Sequence, residues 1–309
     1  MLIAVYHGTV PNAKNKEKVD LLRFFAQGAR AAGDQVIEVA GNNVIRSDVA
    51  VIQGWITDDP VLRNHLDLRR RVIQQALGNN KKVVAVDSNL FLYADPTNSL
   101  HYLRYSFNSV FPDSGIYCDN NPHAQRWNTV SQDLRITLQP WRSHGGHVLL
   151  LLQRNGGWSM AHYDVQQWAN DVITELRLHT DRDIVIRAHP GDKQAKSYLD
   201  AATGRCRIKW SKGVRLSTNP DLRQDLQGCW AVINHNSSPA IAAAIEGIPV
   251  FVTDFARSQA RDIANTNLAD IENPRMPDRL PWVHRLAMSH WKFSELQTGM
   301  TWRHMRQWV

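Results

Sequence analysis

The sequence predicts an α/β protein with two successive parallel-sheet domains. Short apolar runs alternate with stretches of helical length from Leu2 to Asp87, which is the pattern of strand–helix–strand units with both sheet faces covered. The rhythm restarts at Val148, directly after WRSHGG. With 43% hydrophobic and 21% charged residues in 309, and no low-complexity tract, the chain has ample material for its cores.

In order, Leu2–Tyr6 reads as the first strand, closed by a turn at His7-Gly8-Thr9. Val19–Ala32 reads as a helix stopped by Gly33, Gln35–Val39 and Val49–Ile52 as strands, and Pro60–Leu77 as a helix ending at Gly78-Asn79-Asn80. Lys82–Val86 is the fourth strand. Tyr93–Gln139, rich in Pro, Asn and aromatics, reads as the irregular remainder of a first domain over residues 1–143. A second domain is expected over 144–280, with strands at Val148–Leu152, Ile184–Ile186, Ala231–Ile233 and Ile248–Val252. Asp164 is a fair N-cap, with Gln167 three residues on. Val165, Trp168, Val172 and Leu176 then fall on one helical face. Another helix is expected from Pro239 to Glu246.

Several classes are disfavoured. Apolar runs such as Val148–Leu152 are far too short to cross a bilayer, and the first ten residues read as a strand rather than a signal peptide. Cys118, Cys206 and Cys229 are odd in number and widely spaced, which argues against a disulfide framework or a zinc cluster and suits a reducing, cytoplasmic setting. GxGxxG, the Walker motif, HExxH, CxxC and GxSxG do not occur. The net charge of +7 permits an acidic partner, and the 11 tryptophans are residues that stack on rings or fill cores.

In open parallel sheets the loops at the carboxyl ends of the strands form the site. Three such places stand out in the second half. Residues 231–254 give a buried strand ending in Asn236-Ser237-Ser238, with Ser238 at an N-cap and Pro239 at the first helical position, an arrangement that suits phosphate. Glu246, about two turns on, could accept from ribose hydroxyls. Residues 184–192 end a strand in Arg187, His189 and Asp192, which put a cation and an imidazole on the same rim. In residues 149–160, Gly156 and Gly157 allow close backbone approach, Trp158 can stack, and Ser159 and Met160 follow. The competing reading of each is ordinary: a capped βαβ connection, a turn with a solvated Arg, a loop.

Together and in this order, Arg187, His189, Pro190, Asp192, Ser237, Ser238, Glu246, Gly247, Pro249, Val250 and Phe251 resemble the carboxyl-terminal half of GT-B glycosyltransferases, nearest to the capsule-polysaccharide and CDP-glycerol-type transferases. The NGGWSM loop also resembles bacteriophage proteins that glycosylate hydroxymethylated DNA bases. The resemblance spans roughly residues 145–255, and Ala188 replaces a Pro often seen between the Arg and the His. It implies two Rossmann-like domains facing across a cleft, with residues 281–309 as a helix crossing back to the first domain. It also implies a nucleotide-sugar donor such as UDP-glucose, with no obligatory metal. Gly156, Gly157, Trp158, Ser159, Met160, Arg187, His189, Asp192, Asn236, Ser237, Ser238 and Glu246 would then hold the donor. Helix N–H groups, the two serines, Arg187 and His189 would stabilise charge developing on the β-phosphate. An inverting reaction needs a base from the first domain, for which Asp87 is the first candidate and His7 the second; a turn role is the alternative for Asp87.

Two segments suggest the acceptor. Residues 205–215 carry Arg205, Arg207, Lys209, Lys212 and Arg215 around Trp210 with no acid. Residues 275–309 carry six Lys/Arg against two acids, with Trp282, Trp291, Trp302 and Trp308 interleaved. Cations bind phosphates and aromatics stack on bases, so a hydroxymethylated pyrimidine in DNA is the expected acceptor. Packing is the equal alternative for the tail. The same chemistry on a polysaccharide or small molecule, and a non-catalytic nucleotide- or DNA-binding module, are the other readings. No docking helix for a membrane is evident.

Overall fold

Runs of five or six residues rich in Val, Ile and Ala, too short for stable helices, become the strands of two separate sheets. The computed structural model describes residues 1–11, 16–56, 64–91, 101–155, 159–160, 163–199, 208 and 210–309. One unit comprises residues 1–135 with 280–309, the other 136–279.

In the first unit, β1 (Leu2–Tyr6), β2 (Gln35–Val39), β3 (Val49–Gln53) and β4 (Lys82–Asp87) pair in parallel in the order β4-β3-β1-β2. Helices α1 (Lys16–Ala31) and α2 (Asn64–Gly78) make the connections. Leu21, Leu22, Phe25, Ala26 and Ala29 of α1, at helical spacing, bury one face against Ile3, Val5, Val49 and Val51. Residues 101–139 hold more order than the sequence suggested. β5 (Leu103–Phe107) pairs antiparallel with β4, and α3 (Ala124–Leu134) follows.

The second unit has β6 (His147–Leu151), α4 (Val165–Leu176), β7 (Asp183–Arg187), α5 (Ala195–Leu199), β8 (Val214–Leu216), α6 (Leu222–Leu226), β9 (Cys229–Asn234), α7 (Pro239–Ile245) and β10 (Val250–Val252). Its sheet is all parallel, ordered β10-β9-β6-β7-β8. Asp164 caps α4 by accepting from Gln166 and Gln167 N–H, and Val165, Trp168, Val172 and Leu176 all lie in the core. Residues 136–143, which the sequence reading placed in the first domain, are tied into this unit: Gln139 N–H donates to Ile245 O (2.9 Å) and Arg142 N–H to Gly247 O (2.7 Å).

The tail differs from the single helix expected. It forms α8 (Leu280–Met288), β11 (His290–Trp291), α9 (Phe293–Gln297) and α10 (Met300–Met305), with Gly299 at φ +76° breaking the run between the last two. β11 pairs antiparallel with β5 and extends the first sheet. Trp282, Trp291 and Trp302 are buried. Trp302 Nε1–H donates to Asp34 (2.6 Å), and the Arg126 guanidinium sits 4.0 Å from the Trp291 ring while gripping Glu295 through both carboxylate oxygens. These three tryptophans are packing and Trp308 is partly buried against the same core, which leaves the tail little ring surface for stacking on bases.

His290 is fully buried. Its Nε2 accepts from Leu90 N–H (3.1 Å), so the neutral ring donates from Nδ1 to Leu286 O (2.7 Å). Burial pushes its pKa down from 6.5 to about 3. The unfolded chain therefore takes up this proton first as the pH falls. Stability is full above about pH 6.5 and is lost progressively toward pH 3. Urea midpoints are expected to drop between pH 7.5 and pH 5; a flat profile across that window would contradict the assignment.

Candidate active site

The carboxyl ends of β6, β9 and β10 lie side by side in the second sheet, and each ends in polar residues. Gln153, two residues beyond β6, accepts Asn236 N–H on Oε1 (2.8 Å) and donates from Nε2 to Ser159 Oγ (2.6 Å). Asn236, just beyond β9, uses Nδ2 to bridge Ser159 O (3.0 Å) and Asp254 Oδ2 (2.8 Å). Thr253, directly after β10, receives Trp168 Nε1–H (2.8 Å) and shares a 2.7 Å bond with His235 Nδ1. Gln153, His235, Thr253 and Asp254 were not singled out from the sequence. Their signal was present, since each follows an apolar strand directly, but no motif marked them.

The β7 end is a different structure from the one expected. Arg187 is not available to a ligand in the way the sequence suggested. Nη1 pairs with Asp225 Oδ2 (2.5 Å) and Asn219 O (2.9 Å), and Nη2 with Pro220 O (3.0 Å). Asp225, with a side chain 2% exposed, also accepts from Ser217 and Asn219, so the guanidinium neutralises a buried carboxylate. Asp192 is likewise committed: it accepts from Asn155 N–H (3.1 Å), Gln194 N–H (2.9 Å) and Tyr198 Oη–H (2.6 Å), joining the loop after β6 to the turn after β7. His189 remains. Its Nδ1 accepts Gly191 N–H (2.9 Å), which leaves the ring proton on Nε2 as a donor. Burial, and then the nearby Arg154, lower its pKa, so the ring is a neutral donor at pH 7.

Ser237 Oγ accepts from Asn234 Nδ2 (3.1 Å). Ser238 is not the side-chain cap expected. Its backbone is already helical (φ −60°, ψ −27°) and its hydroxyl caps no amide. Glu246 is the C-cap of α7, exposed and about two turns from Pro239, at the opposite helix end from the two serines. Met160 is fully buried in the core of the unit rather than lining a loop. Gly156, Gly157 and Trp158 lie outside the described residues, as do Arg205, Arg207 and Lys209. Of the cationic segment, Trp210 packs against the core, Lys212 O accepts from Arg177, and Arg215 is exposed on β8.

In the first unit, Asp87 ends β4 and pairs through Oδ2 with the buried Arg104 (2.6 Å). His7, just beyond β1, shares a 2.9 Å bond from Nε2 with Glu38, whose other oxygen holds Arg30 (2.9 Å). These contacts keep Glu38 below the usual carboxylate range against its own burial. Among the described residues, no three His, Cys, Asp or Glu side chains form a metal-holding group, and no helix is long and apolar enough to cross a membrane.

Comparison with known proteins gives the architecture. No protein-family model matches the chain, and no curated protein matches its sequence. Among solved structures, a β-Kdo 2,4-transferase of Thermosulfurimonas dismutans, KpsC, superposes with a TM-score of 0.51 at 14% identity, covering 93% of this chain and 90% of its own. The β-Kdo 2,7-transferase of the same organism's KpsC gives 0.50 at 9% identity, covering 97% and 98%. The fold is GT-B. At such identities the likeness is one of fold, and the Rossmann-like pair of units described above is its content.

Proposed function

We propose that the chain is a nucleotide-sugar-dependent glycosyltransferase whose donor phosphates lie at the rim of the second sheet. The observation that carries this reading is the set of uncommitted donors there. Among the described residues, His189 Nε2–H and the Ser238 hydroxyl have no hydrogen-bond partner; they follow β7 and β9, the two strands that flank β6, at loops where a parallel sheet takes its ligand. Cleavage of the sugar–phosphate bond leaves negative charge on the departing phosphate, and preset neutral donors stabilise it without reorganising. Arg187 drops out of that role; its part is to fix the β7 end that carries His189.

An inverting reaction needs a base to take the acceptor proton. Of the two candidates, Asp87 is taken up by its ion pair with Arg104, so His7 is the one we prefer. Glu38 takes one ring nitrogen and leaves Nδ1 to accept a proton.

The acceptor expected from the sequence was a hydroxymethylated pyrimidine in DNA. Its support is reduced by the buried tail tryptophans, and a saccharide acceptor is the reading we favour. A second donor reading has its own basis: both KpsC structures are named as Kdo transferases, so an activated Kdo stands beside UDP-glucose.

The test is calorimetric titration with UDP, UDP-glucose, CMP and CMP-Kdo. Radiolabel transfer to oligosaccharide and to hydroxymethylcytosine-containing duplex follows. Binding in one series with transfer to sugar is expected; transfer to the duplex alone would restore the DNA reading. Binding without transfer to either acceptor would favour a non-catalytic module. His189→Ala is expected to weaken the bound nucleotide about tenfold, the worth of one good hydrogen bond to a charged group. Unchanged affinity would remove His189 from the site.

A further inference from the structure

Hydrogen-bond directions around Asn236 leave an unusual residue of donors and acceptors. Gln153 must present its oxygen to Asn236 N–H, so its amide nitrogen donates to Ser159 Oγ and the Ser159 hydroxyl proton has no acceptor among the described residues. Both Asn236 amide protons are engaged, by Ser159 O and Asp254 Oδ2, which leaves Asn236 Oδ1 as an acceptor that no described group fills. Asp254 takes Arg257 N–H on Oδ1 (3.3 Å) and Asn236 on Oδ2, and its carboxylate retains lone pairs for further donors.

The neighbouring imidazole is set by a chain of one-way bonds. Trp168 Nε1 can only donate, so Thr253 Oγ1 accepts from it; the Thr253 hydroxyl proton has no other acceptor among the described residues, and we assign it to the 2.7 Å bond with His235 Nδ1. His235 therefore carries its hydrogen on Nε2, 3.7 Å from Asp254 Oδ2, a gap too wide for a direct bond. Tyr163, 54% exposed, stands edge-on to this imidazole at 5.6 Å between centroids.

The result is two donors, Ser159 Oγ–H and His235 Nε2–H, with two acceptors, Asn236 Oδ1 and Asp254, on one ledge beside an exposed aromatic ring. Two adjacent hydroxyls offer the matching pattern, since each donates once and accepts as well. We infer that Ser159, His235, Asn236 and Asp254 form a vicinal-diol subsite. Tyr163 borders the apolar face of the ring that bears the diol, and Thr253 and Trp168 are positioning residues that fix the His235 tautomer. This deepens the transferase reading and rests on it. Two parts of a nucleotide sugar carry such a diol, the transferred glycosyl ring and the ribose.

The experiment titrates wild-type protein, Asp254→Asn and His189→Ala with UDP, UDP-glucose and 2′-deoxy-UDP, and with CMP and CMP-Kdo in parallel. Asp254→Asn keeps its size while losing its charge, and is expected to weaken the cognate nucleotide sugar about tenfold or more. A loss confined to the nucleotide sugar assigns the glycosyl ring. An equal loss on the parent nucleotide, with wild-type discrimination against the 2′-deoxy analogue, assigns the ribose. Unchanged affinity for every ligand in Asp254→Asn, with His189→Ala impaired, overturns the diol subsite and leaves the transferase reading standing. Failure of the wild-type protein to bind any nucleotide overturns both. Ring-nitrogen NMR supplies a second measurement that needs no ligand. His235 is expected as the Nε2–H tautomer, lost in Thr253→Val; an Nδ1–H ring in the wild-type protein overturns the donor assignment.

Discussion

Arg187→Ala is expected to cost the second unit about 3–5 kcal/mol of unfolding free energy, the usual loss when one partner of a buried ion pair is removed. The reason lies with Asp225. Its carboxylate is almost wholly enclosed and is satisfied by Arg187, Ser217 and Asn219; without the guanidinium it keeps two neutral donors and an uncompensated charge. Arg187→Lys is expected to recover part of the loss, because an ammonium keeps the charge and gives up the planar fork that reaches Asn219 O and Pro220 O together. Urea denaturation followed by Trp fluorescence measures both. The phosphate-clamp role suggested by the sequence makes the contrary forecast of native stability with weakened nucleotide binding, and that result would return Arg187 to the ligand.

The second large effect concerns α1. Gly28→Ala is expected to destabilise the first unit by about 3 kcal/mol, at the upper end of overpacking costs. A Cβ there would overlap the backbone carbonyl of Leu296 and press on Gly299 N, and neither can yield as a flexible side chain would. Phe25, on the same helix as Gly28, meets Trp302 of α10 edge-on at 5.6 Å, so Trp302 fluorescence should report the loosening. Gly41→Ala is the control: nothing lies within 4 Å of a Cβ there, and the change is expected to stay within about 0.5 kcal/mol. Equal stability of the two variants would show that α1 and the tail do not depend on this close approach.

The repeating strand–helix units were legible because their signals are local. Val49–Ile52 and Val83–Val86 are apolar throughout, and Trp168, Val172 and Leu176 repeat at helical spacing. What escaped depends on partners distant in the chain. β5 carries a buried Arg104 whose charge Asp87 pairs, and β11 is a two-residue strand defined by pairing with β5. β8 is mostly exposed and has no apolar run to announce it. The candidate site was half legible for the same reason. His189, Asn236, Ser237 and Ser238 sit beside recognisable strand ends. Sequence cannot show that Arg187 and Asp192 are taken up by Asp225 and Tyr198, nor that Asp254 is brought to Asn236.

The first sheet draws β11 from residues 290–291, after a whole second unit has intervened. Domains generally fold as units while the chain emerges from the ribosome, the earlier one first. Here the order must invert: residues 136–279 can settle while residues 1–135 still wait for their closing strand and the tryptophans behind it. A chain truncated after residue 279 and released from the ribosome should therefore protect residues 136–279 from protease and leave residues 1–135 open to cleavage.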